Sequence, residues 1–376
     1  MVSSSNFNRA FVALTSATGR ENPAGYHPCQ GLYWTPEGRK PKTALIATHY
    51  NVDFSEHYLA PYMAAKGFGF RGWNSRFRGA DAWFILEHAL IDIGAGVRWL
   101  REEAGVEAVV LLGNSGGGSL MGAYQSQATE PSIEPVAGGT LPSAVLDLPP
   151  ADLYVSLQAH LGRPEVLTAW MDAAVTDEND PLSVDPSLDM YNPENGPPYS
   201  AAFVARYRQA QEARNHRITD WALSELERLR AAGAHDRNFN LHRVWADLRM
   251  VDPSIDPSER PANQCYLGSP RTANYGPYGI GSANTLRTWL SMWSLKTSHC
   301  RGEPHLRRIT VPALVIQSTG DTGIFPSDAT RIHEALASSD KRLEMIQGDH
   351  YLMTPPGARE AVADLISGWV GERAAA

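Results

Sequence analysis

From residue 43 onward the chain alternates short apolar runs with stretches of helical period. Thr43–Thr48 (TALIAT) reads as a buried strand, Ser55–Lys66 as a helix ended by Gly67, Gly67–Trp73 as a second strand and Ala82–Glu103 as a long helix. Val106–Leu112 (VEAVVLL) follows as a third strand, a helix opens near Gly116, and Ser143–Leu148 reads as a fourth strand. Buried strands alternating with helices predict an α/β fold, with a mostly parallel sheet covered by helices on both faces. Residues 1–42 read as loops and short strands with apolar centres at Phe11–Leu14 and Gly31–Trp34, punctuated by Pro23, Gly25, Pro28, Pro36 and Gly38.

At Pro149 the pattern changes. From there to Arg308 lie about 160 residues of helical period with Pro-rich joints, too many for a connecting loop. Tyr199–Ala232 contains neither Gly nor Pro and predicts one long helix or two abutting ones, whereas Tyr266–Gly281, rich in Gly, Pro and Tyr, predicts an irregular segment. The strand–helix rhythm returns at Val311–Ile316, Arg342–Ile346 and a terminal helix, Gly357–Trp369. The expected organisation is an α/β core in two parts, residues 1–148 and 309–376, interrupted by a mainly helical cap at 149–308.

Composition narrows the function. The chain has 376 residues, 43% hydrophobic and 20% charged, enough to bury a sizeable core. A formal net charge of −8 argues against a dedicated nucleic-acid binder, which carries a basic footprint. Cys29, Cys265 and Cys300 are scattered and odd in number, so neither a disulfide framework nor a zinc ribbon is expected. The amino terminus has no basic-then-apolar leader pattern, and no run of about 20 apolar residues is present to span a bilayer. The expectation is a cytoplasmic protein. Twelve histidines are dispersed without HExxH spacing, there is no GxxxxGK[ST], and GNSGGGSLMG lacks dinucleotide-loop spacing. No metal and no cofactor is expected.

The strongest chemical signal is Gly113-Asn114-Ser115-Gly116-Gly117, directly after the apolar run VVLL. Alone the pentapeptide also fits a Gly-rich turn that packs a helix on a strand. Placed between a strand and a helix, it fits a nucleophile elbow, in which the serine hydroxyl stands above the sheet and the next amide, Gly116 N–H, points at a developing oxyanion. Asp321 closes the strand that starts at Val311, and His350 follows the strand that starts at Arg342. Both then fall at the carboxyl ends of parallel strands, on the sheet edge that holds Ser115. Serine needs an imidazole to take its proton, and the imidazole needs a carboxylate to fix its tautomer.

With these residues in the order Ser115, Asp321, His350, the sequence resembles the α/β-hydrolase superfamily over about residues 40–148 and 309–372. The resemblance implies Ser115 as nucleophile, His350 as base and Asp321 as orienting acid, with Ser115 Oγ near hydrogen-bonding distance of His350 Nε2. Asp147 is the competing acid, since some hydrolases of this type take theirs after the strand that follows the elbow helix; Asp349 is a poorer one. Where many relatives carry His-Gly, this chain reads Thr48-His49-Tyr50-Asn51. The second oxyanion donor is therefore open between the backbone N–H of Tyr50 or Asn51 and the Tyr50 hydroxyl.

Five of the ten tryptophans, Trp170, Trp221, Trp245, Trp289 and Trp293, fall in the expected cap, with Tyr266 and six further tyrosines. They fit cap packing and also an aromatic pocket for a bulky hydrophobic group. The expected function is hydrolysis of a carboxylic ester of a hydrophobic small molecule through an acyl-enzyme. Carbon–carbon or thioester hydrolysis, or acyl transfer, is the alternative with the same triad, and a non-catalytic ligand-binding protein is the alternative from another class. Apolar cap surface suggests a homodimer.

Overall fold

In a computed structural model of the chain, residues 7–136 and 138–374 are described; of the amino-terminal segment read for a leader, residues 1–6 lie outside them. The apolar runs form the middle of an eight-stranded sheet. In chain order its first strands are β1 (Phe7–Leu14), β2 (Cys29–Pro36), β3 (Thr43–Ala47), β4 (Gly69–Asn74), β5 (Ala108–Asn114) and β6 (Leu153–Leu157). A separate antiparallel pair, β7 (Asn238–Asn240) and β8 (Ala283–Thr285), precedes the last two strands, β9 (Ala313–Ser318) and β10 (Lys341–Ile346). The main sheet has the order β1-β2-β4-β3-β5-β6-β9-β10. Its first two pairings are antiparallel and all the rest parallel.

Strand residues alternate between two apolar layers, as a period of two requires. Val109 and Leu111 of β5 join the layer under helices α2 (Leu86–Glu102) and α3 (Gly117–Thr129). Val110 and Leu112 join the opposite layer, under α1 (Ala60–Ala65) and the terminal helix Ala358–Ala374. Coverage on both faces is why β5, β6 and β9 read as unbroken apolar runs and are buried along their whole length.

Three expectations need correction. The helix expected at Ser55–Lys66 is confined to Ala60–Ala65, with turns before it. The helix expected from Ala82 starts at Leu86, and Asp81–Trp83 forms a separate tight turn. The strand expected at Ser143–Leu148 is a 3₁₀ turn, and the strand that follows α3 is Leu153–Leu157. Residues 143–148 are held between Pro142 and the Pro149-Pro150 pair; Val145 is buried but Leu146 is 62% exposed, which no inner strand of a covered sheet allows. The chain therefore leaves the sheet after Leu157 rather than after Leu148.

Residues 158–312 connect β6 to β9, which are adjacent and parallel. Their main elements are α4 (Arg163–Trp170) and α5 (Ala201–Ala231), the latter a single helix as its Gly- and Pro-free sequence predicts. Ser200 caps α5, its hydroxyl accepting from Phe203 N–H at 3.2 Å. This segment buries ion pairs: Asp172 with Arg243 at 2.5 Å, Arg214 with Glu178 at 2.6 Å, and Asp247 with Arg208 at 2.6 Å and Arg249 at 2.8 Å. Burial alone would raise the Asp247 pKa, but its two arginines outweigh that and hold it well below the usual range. Trp289 and Trp293 bracket one wide helical turn and are both buried. No helix among the described residues is long and apolar enough to cross a membrane.

Candidate active site

β5 ends at Asn114 and α3 begins at Gly117, so the chain reverses at Ser115, whose φ is 55°. A residue with a side chain enters this left-handed region only when its surroundings hold it there. Ser115 N–H donates to Leu157 O at 3.1 Å, and Ser115 O accepts from Gly118 N–H at 3.1 Å and His160 N–H at 3.2 Å. The flanking glycines are required by space. A Cβ on Gly117 would lie 2.4 Å from Thr48 O, and one on Gly118 2.3 Å from Ala159 Cβ. Behind the turn, His57 Nδ1 accepts from Leu59 N–H at 3.2 Å, which places the ring proton on Nε2, facing Asn114 Oδ1 at 3.1 Å. Burial pushes the His57 pKa down to about 4, so this ring stays neutral. Asn114 Nδ2 in turn donates to Leu157 O at 2.9 Å.

Asp321 follows β9 and His350 follows β10. His350 Nδ1–H donates to Asp321 Oδ2 at 2.6 Å. The other carboxylate oxygen accepts from Gly323 N–H at 2.9 Å, Ile324 N–H at 3.1 Å and the Tyr266 hydroxyl at 3.1 Å. Asp321 is thus fully buried but fully satisfied, and its orientation toward the imidazole is fixed. Asp147 stands elsewhere, its side chain 89% exposed and paired with Arg98 at 3.2 Å. Asp349 staples the histidine loop by accepting from Tyr351 N–H at 2.8 Å, Thr354 N–H at 2.8 Å and Thr354 Oγ1 at 2.7 Å. Gln158 Nε2, at the end of β6, donates to Asp349 O at 3.0 Å and ties this loop to the edge that carries Ser115. The Ser115 hydroxyl makes no hydrogen bond within 3.5 Å among the described residues.

The loop after β3 departs from expectation. The Tyr50 side chain is buried, and its hydroxyl is engaged with Ser119 Oγ on α3 at 3.0 Å. The Asn51 amide donates to His49 Nδ1 at 3.4 Å and Val52 N–H to the same atom at 3.3 Å. Two of the three groups expected to supply the second oxyanion donor are therefore occupied. The Tyr50 backbone N–H has no partner among the described residues. Because His49 Nδ1 accepts, its Nε2 carries the proton. Burial and the nearby Arg163 push the His49 pKa well down, so the ring is neutral.

Residues from the segment between β6 and β9 complete the site. Tyr266 comes from the segment between β6 and β9, 84 positions before His350, and its hydroxyl lies 3.0 Å from His350 Nδ1. Trp170 and Trp245 stack at 4.6 Å, and Tyr266 meets both edge-on at 6.0 and 6.3 Å. A cleft of about 840 Å³ opens beside His350 and Tyr266. Arg163, the first residue of α4, brings its guanidinium against Gly116. A Cβ on Gly116 would lie 2.7 Å from Arg163 Cζ, from Arg163 Nη2 and from His49 Nε2. Among the described residues no group of three or more His, Cys, Asp or Glu is placed to hold a metal ion.

The chain resembles solved structures along almost its whole length. GrgF, an alpha/beta hydrolase from Penicillium sp. sh18, superposes with a TM-score of 0.52 at 12% identity, covering 98% of this chain and 100% of that one. DcsB in complex with its substrate analogue gives 0.52 at 12% identity, with 98% and 100% covered. Est1E from Butyrivibrio proteoclasticus gives 0.50 at 11%, with 96% and 100% covered. At these identities the likeness shows the fold, which is that of the α/β hydrolases. No family model and no curated protein matches the chain.

Proposed function

We propose that the protein is a serine hydrolase that cleaves carboxylic esters of hydrophobic small molecules through an acyl-enzyme. The observation that carries this reading is Ser115 at φ 55° on the strand-to-helix turn, with a buried Asp321–His350 pair at 2.6 Å on the same sheet edge. Asp321 holds His350 with its proton on Nδ1, which leaves Nε2 as the base for the serine proton. Ser115 Oγ attacks the carbonyl carbon as that proton passes to Nε2. The oxyanion meets Gly116 N–H at the start of α3 and the Tyr50 backbone N–H, each donor worth roughly 3 kcal/mol in the transition state. His350 then returns the proton to the leaving alcohol, activates water, and the acid departs. Residues 158–312 act as a cap, and the aromatic group of Trp170, Trp245 and Tyr266 beside His350 supports an apolar substrate portion.

The test is hydrolysis of p-nitrophenyl esters of increasing acyl length by the wild type and Ser115→Ala. Turnover that falls about 10⁶-fold in kcat in the variant is the expected result. Ester silence with Ser115 still labelled by a fluorophosphonate would transfer the triad to a carbon–carbon or thioester substrate, or to acyl transfer. Silence without labelling overturns the reading in favour of a binding protein.

A further inference from the structure

Arg163 is buried to 3% exposure and forms neither an ion pair nor a side-chain hydrogen bond among the described residues. Its Nε is sealed off without a partner, which leaves the two Nη groups as the donors able to meet a ligand. Two rings hold it in place: the guanidinium carbon lies 4.4 Å from the centre of Tyr50 and 5.4 Å from that of Trp293. Burying a cation without a counter-charge is strongly unfavourable. Its position at the first turn of α4 adds to this, because a helix amino terminus favours negative charge. Burial accordingly pulls its pKa down, and Asp81 opposes this only through space, with no ion pair.

Among the described residues the surroundings supply no bonded counter-charge. Burial, and next the charge of Arg163, press the His49 and His160 pKa values well below the ordinary one, so both rings stay neutral. Asp321, the nearby acid, is already spent on His350, Tyr266 and two backbone amides. The guanidinium of Arg163 and the Nε2–H of His49 thus converge on Gly116, next to Ser115, and the cation has no bonded anion among the described residues. Arg71 is the instructive contrast. It too is buried and unpartnered, stacked on Trp73 at 3.9 Å and Trp99 at 4.1 Å. All three of its side-chain nitrogens are sealed, so no ligand can reach it.

We propose that Arg163, with His49 Nε2–H beside it, is the receptor for a carboxylate on the acyl part of the substrate, so that the favoured esters are half-esters of short dicarboxylic acids whose apolar portion is the alcohol. The carboxylate takes the two Nη donors of Arg163 in the paired geometry that guanidinium and carboxylate share. This rests on the serine hydrolase reading, since it places the carboxylate next to the carbonyl that Ser115 attacks. The position against Gly116 calls for a short spacer between carboxylate and ester.

The experiment compares monoethyl succinate with ethyl butyrate, by proton release, for wild type, Arg163→Met and Arg163→Lys. The wild type should favour the half-ester in kcat/KM. Arg163→Met should lower the half-ester to neutral-ester ratio by about 10- to 150-fold, mainly through KM, the range expected for hydrogen bonds to a charged group. Arg163→Lys should recover part of it. Because the arginine has no partner to strand, Arg163→Met should melt no lower than the wild type. Equal loss on both esters, or a wild-type preference for ethyl butyrate, overturns the proposal, as does a fall in melting temperature with the ratio intact. Succinate binding is read separately: it should raise the melting temperature of the wild type and not of Arg163→Met. That shift in an enzyme inert to esters and fluorophosphonate would sink the hydrolase reading and keep the anion site. Ester turnover without the shift or the preference would do the reverse.

Discussion

The sheet and the segment between β6 and β9 bury different chemistry. Along β5, β6 and β9 the inside is almost wholly apolar, and order comes from backbone pairing and side-chain packing. The inserted segment instead buries Asp172, Arg243, Arg214, Asp247 and Arg163, and most of these are matched charge for charge. Apolar packing tolerates many solutions, whereas a buried ion pair fails as soon as one partner is removed. The division extends to the site. Ser115, Asp321 and His350 stand at strand ends, while Tyr266 and Arg163 reach the same place from the insertion. The strand ends thus supply Ser115 and the Asp321–His350 pair, and the insertion supplies the aromatic and cationic groups around them.

That comparison can be broken at three points. The largest effect is expected at Asp321→Asn, which disturbs the histidine tautomer while leaving the sheet's packing in place. Its kcat should fall about 10⁴-fold with little change in KM; a loss under tenfold would mean that the acid works from another residue. Next is Asp172→Ala, which strands Arg243 and removes the Oδ2 that also accepts from Asn274 Nδ2 at 2.7 Å. A loss of about 3–5 kcal/mol in urea unfolding is expected, and a loss below 1 kcal/mol would show that the insertion does not depend on its ion pairs. The smallest is Tyr266→Phe. It removes one of four hydrogen bonds to the Asp321 carboxylate, so kcat should drop only about 3- to 10-fold. A change in KM alone would make Tyr266 a wall of the substrate pocket and not a support of the pair.

Much of the fold was legible because its inner strands are local signals. VVLL before a Gly-rich turn, or ALVI after a proline, has no other place to go in a chain of this length. The one misread strand shows the boundary of that logic. Ala144-Val145-Leu146 is apolar too, but the prolines on either side and the nearness of Leu153–Leu157 leave it outside the sheet, and no local pattern separates the two runs. At the site, Ser115, Asp321 and His350 could be named because each is set by its distance from a strand end. Arg163 could not, and Tyr266 and His49 could be named among candidates but not placed, since only the path of the insertion and the turn after β3 bring them near Gly116 and His350. The glycine at 116 was a partial signal: its missing side chain is the room that the guanidinium and the His49 ring occupy.

The insertion joins two strands that lie side by side, so it is also the loop that must close before β9 can pair with β6. Closing about 155 residues instead of a dozen-residue crossover adds roughly 2 kcal/mol of chain entropy. Ser115 lies on one side of that closure and the Asp321–His350 pair on the other. A chain severed anywhere in the insertion therefore carries Ser115 on one fragment and Asp321 with His350 on the other. The candidate site is, in that sense, already divided between two halves that form it only when they meet.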